Sequence, residues 1–123
     1  MNITKNSRKN AARTERLQKR ADAGSMSMHF PEVVSIVINM IYSQKGIAKS
    51  LPRIVHYDSG SSAFFRIGCL CKDCVDGGFD LTQLLTSMIK TRRKAAQGEL
   101  RCEGDGAPAD HSSIVYKVAI QYR

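Results

Sequence analysis

Three cysteines and one histidine form the pattern with the clearest chemical meaning in this sequence. Cys71 and Cys74 have the Cys-x2-Cys spacing, and two glycines follow within four residues of Cys74. This spacing lets two thiolates bind one ion, while the glycines allow the chain to turn back. Cys102 lies 28 residues beyond Cys74, and His111 lies nine residues further on. Because zinc favours four tetrahedral sulfur or nitrogen ligands, these residues predict a structural Cys3His zinc site.

The sequence leaves the identity of the fourth ligand undecided. Cys69 is the main alternative to His111, because with the other three cysteines it would form an all-sulfur site. Strand alternation places Cys69 with Phe65 and Ile67, however, which favours a buried core side chain. Buried thiols and a disulfide or redox pair are the other interpretations. No secretory signal is visible, so we expect a cytoplasmic protein, where cysteines more often bind metal than form disulfides.

The pattern around these thiolates does not indicate an active site. A catalytic zinc keeps one coordination position open for water and has a base nearby. Zinc deaminases need a His-x-Glu segment, which is absent here, and Leu70 precedes Cys71 where they have proline. The sequence also lacks a P-loop and a Gly-x-Gly-x2-Gly motif. We therefore expect a non-enzymatic protein, and we identify no small-molecule substrate.

Alternating apolar residues predict the strands that position these ligands. The segment Val33–Gln44 predicts a long strand with one buried face. That face carries Val34, Ile36, Ile38, Met40 and Tyr42. Residues 113–122 alternate in the same way, which makes the two strands candidate neighbours in a sheet. Residues 99–103 predict a short strand that carries Cys102.

Residues 53–69 predict a β-hairpin. Its first arm is 54–57, its turn is 58–61, and its second arm is 62–69, because Asp-Ser-Gly-Ser is strong turn chemistry. Phe64 and Phe65 lie in the second arm. Each is a candidate for stacking on a nucleic-acid base, and core packing is favoured for at least one of them.

Residues 80–97 predict the one helix of the folded body. Asp80 is a suitable N-cap, Gln83 completes a capping box, and Gly98 is a suitable stop. Basic residues crowd its second half, where they complement the helix dipole. Its apolar stripe follows helical spacing and comprises Leu81, Leu84, Leu85, Met88 and Ile89.

These elements predict an α+β domain over residues 26–123. It would contain a mainly antiparallel sheet of four or five strands, one packed helix and a zinc knuckle. A chain of 123 residues with 42% apolar composition fits a single domain. Its longest apolar stretch falls far short of the roughly 20 residues that span a bilayer, so we expect no membrane insertion.

The charge is concentrated at the N-terminus. The chain has a net charge of +8, and residues 1–25 hold seven basic and two acidic side chains. We expect these residues to form a basic arm that is disordered or helical. Nucleic acid bound mainly through its phosphates is the expected partner. The alternative is a protein-interaction module, or a subunit of a larger assembly, with an acidic protein partner. The candidate phosphate-binding residues are Arg8, Lys9, Arg13, Arg16, Lys19, Arg20, Arg92, Arg93 and Lys94.

Overall fold

The computed structural model describes residues 5–70, 74, 77–102 and 111–123 of the chain. Within them it contains three helices and six strands. The helices are α1 (Lys5–Asp22), α2 (Met26–His29) and α3 (Thr82–Lys90). The strands are β1 (Val33–Gln44), β2 (Leu51–Tyr57), β3 (Arg66–Gly68), β4 (Gly78–Asp80), β5 (Ala95–Arg101) and β6 (Ser112–Tyr122).

The strands form one four-stranded sheet and one two-stranded sheet. The larger sheet has the order β2-β1-β6-β5, and β3 pairs with β4 in the smaller one. All of these pairings are antiparallel. The predicted α+β class with a mainly antiparallel sheet is confirmed. None of the helices in these described ranges combines the length and apolar character needed to cross a bilayer.

The pairing of β1 with β6 forms the centre of the core. Ile38 lies opposite Val118, and Ile36 lies opposite Ile120. All four side chains are buried on the same face of the sheet. The expected neighbourhood of these two strands is confirmed, because two long strands that alternate in the same register bury their apolar faces best side by side.

The first residues of β1 depart from the predicted alternation. Val34 was expected on the buried face, but it is only half-buried, while Val33 is 3% exposed. The pairing with β6 shifts register between Val33 and Ser35. An irregularity of this kind inserts one residue and exchanges the faces of the side chains on either side of it.

The predicted hairpin is wrong beyond its turn. The turn itself forms, and the Asp58 carboxylate accepts a hydrogen bond from the backbone N–H of Gly60 at 2.9 Å. However, β2 pairs with β1 and not with the segment that follows the turn. The long edge of β1 offers β2 seven residue pairs, including Ile36 opposite Tyr57. The segment after the turn bridges Ser25 through Ser62 and then pairs with β4 as β3.

The predicted helix is too long at both ends. The helix begins at Thr82, and Asp80 lies in β4, where its carboxylate accepts a hydrogen bond from the Thr82 N–H at 2.9 Å. It ends at Lys90, and β5 begins at Ala95, four residues before the short strand predicted at 99–103. The exposed edge of β6 explains the early end, because a strand paired there satisfies backbone groups that would otherwise face solvent.

Gly98 serves the sheet and does not terminate the helix. It lies opposite Tyr116 in the β5–β6 pair. A Cβ atom at Gly98 would lie 2.5 Å from the Tyr116 hydroxyl oxygen, so a larger residue here would require the Tyr116 ring to move. The predicted role of Gly98 as a helix stop is therefore wrong, because the contact with Tyr116 explains the glycine.

Two adjacent leucines of α3 provide a test of how the helix packs. Leu85 is 0% exposed, whereas Leu84 is only partly buried against the core. We expect Leu85→Ala to cost about 2–5 kcal/mol of unfolding free energy, through lost burial and a cavity. Leu84→Ala is the matched control and should cost clearly less. Urea denaturation measures both values, and equal costs would contradict the packing described.

Candidate metal centre

Four potential ligands meet at one end of the larger sheet. Cys69 follows β3, and Cys74 lies between β3 and β4. Cys102 follows β5, and His111 precedes β6. The antiparallel register brings the end of β5 beside the start of β6, with Arg101 opposite Ser113. Strand pairing therefore delivers ligands that are far apart in sequence to one point.

Two of the distances within this cluster match those between ligands of a tetrahedrally coordinated zinc ion. The three sulfurs and one histidine ring nitrogen all lie within 4.8 Å of one another. The sulfurs of Cys74 and Cys102 are 3.5 Å apart, as are the Cys69 sulfur and the Nε2 atom of His111. Zinc bonds of about 2.3 Å to sulfur and 2.0–2.1 Å to nitrogen place tetrahedral ligands about 3.5–3.8 Å apart. A disulfide requires about 2.05 Å, so the Cys74–Cys102 pair is not one.

The cluster is shielded from solvent. His111 is 3% exposed, Cys102 is 6% exposed and Cys74 is 7% exposed, while Cys69 is half-buried. Burial raises the pKa of the Cys74 thiol, and the neighbouring Cys102 and Cys69 sulfurs raise it further. Several thiolates in such a place repel one another unless a cation compensates their charge. Buried sulfurs at these distances therefore suit a divalent ion.

Neighbouring polar groups hold the ligands in place. The hydroxyl oxygens of Ser112 and Tyr42 lie 3.2 Å and 3.6 Å from the Cys69 sulfur. The backbone N–H of Cys102 donates to the carbonyl of Ser112 at 3.1 Å, and that of Lys45 donates to the carbonyl of His111 at 2.7 Å. Contacts of this kind orient ligands before any ion binds, which raises affinity for the ion.

Gly77 leaves the space that the sulfurs occupy. A Cβ atom at this position would lie 1.9 Å from the Cys74 sulfur and 2.9 Å from that of Cys102. The Gly77 carbonyl also accepts a hydrogen bond from the Cys69 N–H at 3.3 Å. The backbone thus folds directly over the cluster, which explains a glycine soon after the second cysteine of the Cys-x2-Cys pair.

The structure brings together three of the four predicted ligands and adds one. Cys74, Cys102 and His111 belong to the cluster. Cys71 and the two residues that separate it from Cys74 in the predicted knuckle lie outside the described residues. Cys69, weighed in the sequence as a replacement for His111, lies beside His111 instead. Gly68 is the residue in the sequence that could have indicated this role for Cys69. Strand β3 ends at Gly68, so Cys69 lies outside the strand and does not follow the alternation that favoured a core position.

The predicted phosphate-binding residues fall on two separate elements. Arg8, Lys9, Arg13, Arg16, Lys19 and Arg20 lie on α1, with Arg13, Lys19 and Arg20 exposed. Side chains of residues 5–10 and 12 are outside the description. Lys19 forms an exposed ion pair with Glu15 at 3.1 Å.

The second basic cluster, Arg92 to Lys94, lies beyond the end of α3 and not within the predicted helix. Arg92, Arg93 and Lys94 follow α3 as an exposed turn, with Arg92 at a φ of 53°. The Arg92 guanidinium lies 4.7 Å from the centre of the Tyr122 ring and donates to the Arg123 carbonyl at 3.2 Å. This cluster therefore also stabilises the end of β6, independently of any phosphate.

Comparison of the chain with protein-family models, with curated proteins and with solved structures gave no match. The function is therefore inferred from the chemistry of the cluster. Four protein ligands complete a tetrahedral shell, which is the arrangement of structural sites. Catalytic sites provide three and leave the fourth position to water.

Gly77 offers a test of this geometry. We expect Gly77→Ala to push the Cys74 sulfur out of place, and so to reduce bound metal and lower the free energy of unfolding by about 1–3 kcal/mol. Gly68→Ala is the matched control, since a Cβ atom at Gly68 meets nothing within 4 Å. Thermal unfolding with elemental analysis measures both effects. A Gly77→Ala protein with wild-type metal content and stability would contradict the close approach.

Proposed function

We propose that this protein holds one zinc ion in a closed structural site. The observation that supports the proposal is the set of four ligand atoms within 4.8 Å of one another, drawn from four separate points of the chain. Thiolate and imidazole ligands suit zinc in a tetrahedral site, whereas calcium and magnesium prefer oxygen ligands. The four ligands are Cys69, Cys74, Cys102 and His111.

Bound zinc would join the two sheets. Cys69 and Cys74 belong to the β3–β4 unit, whose strands have only three residues each. Cys102 and His111 belong to the ends of β5 and β6 in the larger sheet. A two-stranded unit of this size is marginal by itself, so the ion would fix it against the sheet. The binding free energy then becomes part of the folding free energy.

The proposed role is non-enzymatic. A zinc ion with four protein ligands has no open position at which to activate water or polarise a carbonyl. Three thiolates also donate charge to the ion, which weakens it as a Lewis acid. The role of the site is therefore to stabilise a body that presents its surfaces to a partner.

Elemental analysis and two cysteine variants test the site. We expect about one zinc per chain in freshly purified protein. Cys69→Ser should lose the metal and lower Tm by at least about 10 °C, since roughly 2 kcal/mol already shifts a domain of this size that far. Cys71→Ser is the matched control and should retain both. Native protein without metal would overturn the zinc site, and loss of metal in Cys71→Ser alone would restore the ligand set that the sequence predicted.

We further propose that the partner is nucleic acid, bound mainly through its phosphates. The supporting observation is the continuous helix α1, on which Arg13, Arg16 and Arg20 are spaced by three and four residues. Residues at this spacing share one face of a helix. Arginines along one face match the regular spacing of phosphates, which supplies affinity with little sequence preference.

A protein partner is the alternative, and a different surface favours it. The outer face of the larger sheet carries no helix among the described elements, and Ile41, Ile54 and Val115 are 44%, 72% and 51% exposed there. Exposed apolar side chains gathered on one face are typical of protein contacts. Failure to bind any nucleic acid at about 50 mM salt, where electrostatic attraction is strong, would favour this alternative.

Salt dependence separates the two partners. We expect the affinity for DNA or RNA to fall steeply with salt. Replacing Arg13 and Arg16 by Gln should reduce the magnitude of the slope of log K against log salt by about one to two. The control is Lys117→Gln, which removes a charge from the outer face of the sheet and should change the slope little. Fluorescence anisotropy at several salt concentrations measures this, and an unchanged slope in the α1 variant would exclude that helix as the phosphate contact.

A further inference from the structure

A cleft of about 520 Å3 opens beside the edge strand β2. One wall is β2 itself, and the other is the segment from Gly60 to Gly68, which includes β3. Arg53 and Tyr57 lie opposite Met40 and Ile36 of β1, and therefore on the core-facing side of β2. The volume lies within the range of natural small-ligand sites, so the cleft can enclose one nucleotide-sized group.

The cleft is lined by positive charge. Arg20 of α1, Arg53 of β2 and Arg66 of β3 all line it. Among the described residues, no Asp or Glu is part of this lining. The nearby Asp58 carboxylate accepts hydrogen bonds within its own turn, from the Gly60 N–H at 2.9 Å and from the Ser61 hydroxyl at 3.3 Å. Three arginines from three elements thus create a concave positive surface, which favours an anion.

Contacts with neighbouring residues position Arg20 and Arg66 beside the cleft. The Ser62 hydroxyl donates to the Arg20 carbonyl at 2.8 Å and anchors the end of α1 beside the turn. Burial raises the pKa of Tyr57, and the charge of Arg20 partly opposes this effect. The Arg66 Nε atom is buried, and Asp80 faces Arg66 across the β3–β4 pair. Asp80 partly balances Arg66 from outside the lining.

An aromatic ring adds a second type of contact. Phe65 is 2% exposed and packs edge-on against Tyr57 with 5.2 Å between ring centres, so it belongs to the core. Phe64 is half-buried and lines the cleft. An aromatic side chain beside arginines is the combination that binds single-stranded nucleic acid, through base stacking and phosphate contacts.

The cleft is also continuous with α1. A second depression of about 430 Å3 shares Arg20, Gly60 and Ser62 with it and is lined further by Leu17 and Ala21 of the helix. A chain bound along the basic face of α1 can therefore continue into the cleft. A duplex cannot, because its bases are stacked inside the helix and unavailable to Phe64.

We infer that this cleft binds one nucleotide unit of a single-stranded nucleic acid, with its phosphate at Arg20, Arg53 and Arg66 and its base on Phe64. The inference rests on the proposed affinity for nucleic acid and assigns it a specific subsite. The site is distinct from the metal cluster, since none of the four proposed zinc ligands lines the cleft.

The experiment measures binding of a fluorescent ten-residue oligothymidylate to the full-length, metal-loaded protein. We expect Arg53→Gln to weaken binding about tenfold or more, because charged hydrogen bonds to phosphate are among the strongest polar contacts. Phe64→Leu keeps an apolar side chain without an aromatic face and should weaken binding about fivefold or more. Lys117→Gln is the matched control for charge and should change the affinity less than about twofold.

Unlabelled competitors distinguish the source of the phosphate. Thymidine monophosphate should displace the probe at lower concentration than inorganic phosphate does, because only the nucleotide offers a base to Phe64. A duplex of the same length should retain most of its affinity in Phe64→Leu. If Arg53→Gln loses its fold, as judged by Tm, the comparison of Phe64→Leu with wild type still decides the question.

Each contrary result has a distinct meaning. Wild-type protein that binds neither the oligonucleotide nor the duplex overturns both this inference and the proposed partner, whereas binding of the duplex alone overturns only the cleft. Binding that is lost on replacing Arg13 and Arg16 but unchanged in Arg53→Gln and Phe64→Leu overturns the cleft alone. Equal weakening by Lys117→Gln and Arg53→Gln shows only general electrostatic attraction, and also overturns the cleft.

Discussion

The meeting of three sulfurs and one imidazole at the end of the sheet is the constraint on which the rest of this structure depends. Buried thiolates repel one another, and burial alone raises the pKa of Cys74. The arrangement is favourable when a cation satisfies all four ligands together. The backbone is adapted to this arrangement, because Gly77 passes so close to the Cys74 and Cys102 sulfurs that no side chain fits there.

The sheet supplies the ligands to that point. Pairing of β1 with β6 sets the register, and β6 then places His111 at the position where β5 delivers Cys102. The smaller sheet brings its own two cysteines from the other side. The proposed zinc ion would thus link two separate sheets, which would help a chain of 123 residues to support them both.

Two surfaces away from the metal cluster differ in chemical character. One side of β2 borders a cleft lined by arginines, and the outer face of the sheet exposes apolar side chains such as Ile54. Concentrated positive charge costs stability through self-repulsion unless an anion binds it. The positive lining of the cleft therefore favours an anion, and the phosphate of the proposed nucleic-acid partner has the matching sign.

The sequence by itself determined the elements whose patterns are long and local. The alternation in Val33–Gln44 and in 113–122 spans ten or more residues, so the strand type and most of the buried face follow from it, and the two strands become candidate neighbours. Cys74, Cys102 and His111 were found as candidates by residue type and spacing alone. The strand signals lie within their segments and do not depend on what those segments contact.

Only the tertiary structure decided the choices that depend on contacts between distant segments. Residues 91–97 have helix-forming composition, yet β6 offers an unpaired edge, and Ala95–Arg101 becomes a strand. The segment after the turn at 58–61 leaves β2 because β1 provides a longer partner. Cys69 joins His111 because β3 ends one residue earlier, at Gly68. Competition for partners is a property of the whole chain, and no local pattern records it.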